Sequence, residues 1–153
     1  MSTTGNIDDS VRIMAEECVA VRLRLLTRAV TRIYNKALRP YGLNISQLNV
    51  LAAVAYIGAA KQQKVCQVLH MHKSTLSRDL TRMQAAGWIR SEAGEDGRVT
   101  ILRVTSSGKK LLEKAFPAWE EAQKEAGKLL GEKDIVNLGR TVMTLRSKAS
   151  AGS

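Results

Sequence analysis

The amino-acid sequence predicts a mainly α-helical protein with one small β-hairpin. Apolar residues recur at steps of three and four along most of the 153 residues, which is the period of an amphipathic helix. The pattern changes in residues 88–93 and 98–104, which resemble two short strands joined by Gly94-Glu95-Asp96-Gly97. A glycine-rich link with an Asp-Gly step is a strong hairpin signal.

The first predicted helix covers residues 8–38. Its apolar positions follow helical spacing: Val11, Met14, Cys18, Val21, Leu25, Ala29, Ile33 and Ala37. Asp8 and Asp9 suit a helix N-terminus, and Pro40 and Gly42 end the segment. Because this apolar stripe is longer than a small domain can cover, we expect it to pack against a second subunit.

Three shorter helices are predicted over residues 46–57, 61–69 and 73–86. A break at residues 70–72 separates the second from the third. In the third helix Leu76, Leu80 and Met83 are expected to point inward, and Gly87 suits its C-terminal end.

Two further helices are predicted after the hairpin, over residues 107–130 and 132–147. Thr105 or Ser106 is the expected N-cap of the first. Pro117 is expected to bend that helix or to split it in two.

The net charge of +10 is concentrated in one part of the chain. Residues 1–17 carry −3, residues 18–112 carry +12, and residues 113–153 carry +1. No acidic residue occurs from Cys18 to Arg78, where ten basic residues do. A solvated face is one explanation, but such a long run without acids favours a surface that binds a polyanion.

Composition narrows the function further. No run of apolar residues is long enough for a membrane span, and residues 1–9 lack the features of a secretory signal. Two cysteines, Cys18 and Cys66, cannot build a disulfide framework and fit a reducing cytoplasm. Both histidines lie in one turn, and no carboxylate pair is placed for acid–base catalysis. We therefore expect a cytoplasmic protein that is not an enzyme and needs no metal or other cofactor.

The start of the helix at residues 73–86 carries the chemistry for reading DNA. Its first two turns contain one lysine, three small hydroxyls and one arginine: Lys73, Ser74, Thr75, Ser77 and Arg78. A helix N-terminus placed in a major groove presents such side chains to base edges. An ordinary amphipathic surface helix is the alternative.

The hairpin tip, Asp96-Gly97-Arg98, strengthens the DNA-binding interpretation. An arginine on a protruding ribbon can enter a narrow minor groove, where the negative potential is highest. Asp96 is expected to hold the Arg98 side chain in place. A solvated turn with a local ion pair is the alternative.

Taken in order, these segments resemble the MarR family of bacterial winged helix-turn-helix regulators over nearly the whole chain. The matching residues are Tyr34 through Leu43, Gln47, Leu51, Lys73 through Arg78, Leu80, Met83, Gly87, Ile89, Asp96-Gly97-Arg98 and Leu102 through Gly108. The resemblance implies a winged helix-turn-helix DNA-binding lobe at residues 43–106. It also implies a helical dimerisation domain built from residues 8–42 and 107–148.

The resemblance further implies a homodimer that binds a pseudo-palindromic operator in double-stranded DNA and acts as a repressor. A small aromatic or anionic effector would release the DNA. On this hypothesis Lys73, Ser74, Thr75, Ser77 and Arg78 face bases, Gln47, Lys61 and Arg82 contact phosphates, and Arg98 enters the minor groove.

Two alternatives stay open. A basic core equally suits a non-specific architectural DNA-binding protein, although the dimer helices and the hairpin favour a sequence reader. One branch of the family senses peroxides through a cysteine near the start of the first helix, supported by two tyrosines. Tyr34 matches the first tyrosine, but Ile45 stands at the second and Cys18 is displaced, which disfavours a redox sensor based on Cys18.

Overall fold

The computed structural model describes residues 7–151, which form seven α-helices, one short 3-10 helix and a three-stranded antiparallel sheet. The elements are α1 (Ile7–Glu17), α2 (Val19–Leu38), the 3-10 helix (Arg39–Tyr41), α3 (Ile45–Ile57), β1 (Ala60–Lys61), α4 (Gln62–Leu69), α5 (Lys73–Ala85), β2 (Ile89–Ala93), β3 (Thr100–Val104), α6 (Ser106–Leu130) and α7 (Glu132–Ala151).

The predicted first helix is two helices, α1 and α2. Cys18 separates them with an extended backbone (φ −61°, ψ 112°), so the prediction of one unbroken helix was wrong. The end of α2 was predicted correctly, because Pro40 lies in the 3-10 helix and Gly42 follows in the left-handed region at φ 69°.

The hydrophobic core lies where α3, α5 and β3 meet. Leu51 and Val54 of α3, Leu76 and Met83 of α5, and Leu102 of β3 are all inaccessible to solvent. Helix α3 starts with a capping box, in which Asn44 accepts from the Gln47 N–H and Gln47 accepts from the Asn44 N–H. Leu80 of α5 is buried as well, so all three predicted inward residues of α5 are confirmed.

The sheet has the order β1-β3-β2. The hairpin of β2 and β3 was predicted, but its connection spans residues 94–99 rather than four residues. Strand β1 was not predicted, because two residues are too few to show a period. It pairs Ala60 with Leu102 and Lys61 with Ile101.

Helix α6 runs without interruption through Pro117, so the predicted split did not occur. Thr105 caps α6, with its Oγ1 accepting from the Gly108 N–H at 3.1 Å. Helix α6 packs along α2, and α7 packs on α6. Among the helices within residues 7–151, none has the length and apolar character needed to cross a membrane.

Candidate nucleic-acid interface

Helices α4 and α5 form a helix-turn-helix whose turn is set by the backbone. His70 adopts a left-handed conformation (φ 49°), which ends α4, and the Met71 N–H donates to the Cys66 carbonyl at 3.0 Å. His72 then takes the extended N-cap conformation of α5 without a side-chain capping bond. The amide N–H groups that α5 leaves open at this end can donate to a phosphate.

The two faces of α5 differ as the sequence predicts. Leu76, Leu80 and Met83 are buried. The candidate base-contacting residues lie on the other face, where Lys73, Ser74, Ser77 and Arg78 are exposed and Thr75 is half-buried. The structure therefore makes these side chains accessible to a ligand, while their contacts with bases stay a prediction.

Asp79 is a residue of this helix that the sequence interpretation missed. It is only 7 % exposed, and the Ser46 hydroxyl donates to its Oδ2 at 2.5 Å. Ser46 lies in the first turn of α3, so this bond ties α5 to the start of α3. The available signal was that Asp79 is the first acid after the long basic run.

The tip of the hairpin is held by its own backbone. The Gly94 N–H donates to the Val99 carbonyl at 2.6 Å, and Gly97 has φ 68°. Asp96 Oδ1 accepts from the Arg98 backbone N–H at 3.1 Å, not from the guanidinium as predicted. Asp96 therefore shapes the turn, and the exposed Arg98 side chain makes no ion pair with any carboxylate in the described part of the chain.

The start of α5 and the hairpin meet at one groove of about 450 Å³. Lys73 contributes from the helix, Arg98 and Thr100 from the hairpin, and Gln62 and Cys66 from α4. Two cations thus converge with polar side chains at the place where the helix-turn-helix and the hairpin join. This groove suits a phosphate backbone.

Lys61, a predicted phosphate contact, lies elsewhere. In β1 it pairs with Ile101 and lines a separate groove of about 480 Å³ together with Glu92, Glu95 and Asp96. Arg103 donates a hydrogen bond to Glu92, and this bond lowers the pKa of that carboxyl below its ordinary value. The three acids make this face of the hairpin less favourable for phosphate than the groove at Lys73.

Gln47 and Arg82, the other predicted phosphate contacts, line a third groove of about 480 Å³ with Arg39. Gln47 is only 5 % exposed and its side-chain oxygen caps α3, so the structure gives it a structural role that was not predicted. Arg39, at the end of α2, was not selected from the sequence. It lines the same groove as Arg82 on α5, which sequence spacing does not reveal.

The cysteines and histidines form no metal centre. Among the residues that the structure describes, no group of three or more potential ligands lies close enough to hold an ion. Cys18 is a free, half-buried thiol between α1 and α2.

Comparison with known proteins identifies this architecture. The MarR family profile matches residues 41–99, which contain the helix-turn-helix and most of the hairpin. The M. tuberculosis transcriptional regulator MOSR, solved in complex with DNA, is 30 % identical, with a TM-score of 0.70 over 84 % of this chain and 98 % of that chain. The chain belongs to the MarR family.

Other similar proteins match at lower identity or over a smaller share of their length. A mutant MarR from E. coli, solved with operator DNA, has a TM-score of 0.76 at 17 % identity, over 87 % of this chain and 96 % of that chain. The uncharacterized HTH-type transcriptional regulator YwoH of Bacillus subtilis is 30 % identical over 56 % of this chain and 63 % of its own length. The HTH-type transcriptional regulator Hpr of Bacillus cytotoxicus is 24 % identical over 71 % of this chain and 60 % of its own. The alignments thus span less than two thirds of both Bacillus regulators.

Proposed function

We propose that this MarR-family chain is a sequence-specific DNA-binding regulator of transcription that acts as a homodimer on a pseudo-palindromic operator. The observation that carries the proposal is the exposed face of α5, where the Ser74 and Ser77 hydroxyls and Arg78 are accessible. The groove shared by Lys73 and Arg98 adjoins the start of this helix. Helix α5 would enter the major groove with its hydroxyls and Arg78 against base edges, while the hairpin would place Arg98 in the adjacent minor groove.

Exposed apolar surface supports the dimer. Helix α1 contains no buried residue, and its large apolar side chains Val11 and Met14 are 55 % and 70 % exposed. On α7, Leu138 and Leu145 are 51 % and 61 % exposed. Monomeric proteins rarely leave patches of this kind uncovered. Residues 8–42 and 107–148 would therefore form the dimerisation domain, and residues 43–106 the DNA-binding lobe.

Selection of bound fragments from a random duplex pool, followed by competition with random DNA at fixed salt, tests the specificity. Arg78→Ala is expected to cost about 1–3 kcal/mol on the selected operator and much less on random DNA, because it removes a base contact. Arg82→Ala is the matched control, since removing a cation that binds phosphate weakens binding to both duplexes alike. Equal affinity of the wild type for both duplexes would instead support the non-specific architectural alternative.

The family resemblance supports repression in the cytoplasm, relieved by a small aromatic or anionic effector. Titration of the protein–operator complex with benzoate, followed by fluorescence anisotropy, tests this part. Release of labelled operator at benzoate concentrations that leave the protein folded is the expected result. Retention of DNA by a protein that binds benzoate would contradict it.

A further inference from the structure

Helix α2 and the residue directly after it present a row of basic side chains that belongs neither to α5 nor to the hairpin. Arg28, Arg32, Lys36 and Arg39 follow one another at steps of four, four and three, which places them on one face. We call this row the α2 basic track. All four side chains are exposed, and together with Thr27, Thr31 and Asn35 they line a furrow of about 630 Å³.

Helix stability does not account for the whole track, since only its last members lie at the C-terminal end of α2, where a cation suits the helix dipole. Like charges four residues apart repel each other on a helix. None of the four side chains forms an ion pair with a carboxylate within residues 7–151. Contacts away from the track hold α2 in place: Leu38 is buried, and the Tyr34 hydroxyl donates to Gln123 of α6.

The track begins where the apolar surface of α2 ends. The exposed large apolar residues of this helix run from Val19 to Leu26, and Arg28 is the first residue of the track. Dimerisation through the apolar half would therefore leave the basic half open. At its other end, Arg39 also lines the groove of Arg82 on α5, so the track continues into the proposed DNA interface.

We propose that the α2 basic track binds the phosphate backbone of the duplex beyond the segment read by α5 and the hairpin. This inference rests on the proposed function. From Arg28 to Arg39 the track extends about 17 Å at the helical rise, which matches about five phosphates of one strand. Three of its four residues are arginines, whose planar forks suit phosphate oxygens.

The shape of the furrow favours a duplex over a small anion. Every side chain that lines it comes from α2 or from Arg39 directly after it, so no second element within residues 7–151 forms an opposite wall. Sites for small molecules enclose most of their ligand. A long polyanion needs only an open, charged row, which is what α2 offers.

A duplex-length series tests the track with the full-length protein. Wild type and the Arg28→Gln/Arg32→Gln variant are titrated against random-sequence duplexes of about 15 and 35 base pairs, a range that brackets one short site and its flanks. Lys128→Gln/Lys133→Gln is the control, since it removes the same charge from exposed residues outside the track. Thermal unfolding establishes that all three proteins fold.

We expect the wild type and the control to gain affinity with the longer duplex and the track variant to lose this gain. Its slope of log affinity against log salt should fall by about 0.9 for each phosphate that the variant no longer neutralises. Equal gains in all three proteins would overturn the track. A track variant that loses binding of inorganic phosphate but keeps the duplex affinity of the wild type would also overturn the proposal. Random DNA is used because phosphate contacts carry no sequence information. The result on random DNA therefore tests the track, and the separate competition with the operator tests sequence-specific recognition.

Discussion

Gly108 lies where the hairpin meets α6, and its replacement by alanine is expected to destabilise the protein. A Cβ at this position would lie 2.1 Å from the Trp88 carbonyl oxygen and 2.7 Å from Val104 Cγ1. The obstacle is backbone, which cannot rotate away as a flexible side chain can. The same Trp88 carbonyl accepts from the Thr105 N–H at 3.0 Å, so any shift also disturbs the start of α6.

The magnitude follows from two opposing terms. The Trp88 carbonyl would have to retreat by roughly 1 Å, and overpacking of this kind costs about 1–3 kcal/mol. Alanine in a helix recovers about 1 kcal/mol relative to glycine. We expect a net loss of up to about 2 kcal/mol, which for a chain of this size lowers Tm by up to about 8 °C.

Thermal unfolding at one fixed protein concentration measures the effect, because dimerisation would make Tm depend on concentration. Gly127→Ala in the same helix is the matched control. Its Cβ would lie 3.5 Å from Ile135 Cδ1, an ordinary contact, so this variant should gain about 0.5–1 kcal/mol. DNA affinity should fall in Gly108→Ala, since the Trp88 N–H also bonds to Met83 of α5 at 2.9 Å. A Tm for Gly108→Ala above that of the wild type would refute the reasoning.

Three further substitutions test the supports of the site. Ser46→Ala leaves the buried Asp79 carboxylate without its hydroxyl donor. The free energy of unfolding measured in urea should fall by about 1–3 kcal/mol. An equal loss for Ser46→Thr, which keeps a hydroxyl, would exclude the hydroxyl as the cause. Asn44→Ala removes the cap of α3 and should lower the free energy of unfolding by about 0.5–2 kcal/mol, whereas Asn44→Asp should keep most of that stability. An unchanged urea midpoint for the alanine variant would count against the cap. Arg103 lowers the pKa of Glu92. The ionised carboxyl therefore stabilises the fold at pH values above the usual pKa of a glutamate, and this contribution is lost as the pH falls through the lowered pKa. Glu92→Gln should therefore lose less stability on acidification than the wild type, and parallel Tm curves against pH would contradict this.

The sequence by itself determined most of the helices, the hairpin and the exposed face of α5. Helical spacing of apolar residues identifies a buried stripe from local order alone, as with Leu76, Leu80 and Met83. The same holds for Gly42, Gly87 and Thr105, whose roles at helix ends depend only on neighbours along the chain. The family resemblance was available for the same reason, since its motifs are ordered along the chain.

Only the tertiary structure decided which charged and polar groups work together. The pairs Ser46–Asp79, Arg39–Arg82 and Lys73–Arg98 join residues far apart in sequence, and no periodicity encodes them. The separation of Lys61 from the groove at Lys73 depends likewise on β1, a two-residue strand that exists only because β3 lies beside it. Electrostatic interaction depends on distance in space rather than along the chain. The sequence therefore predicted a basic protein with a DNA-reading helix, and the folded chain decided which of its cations form a shared surface.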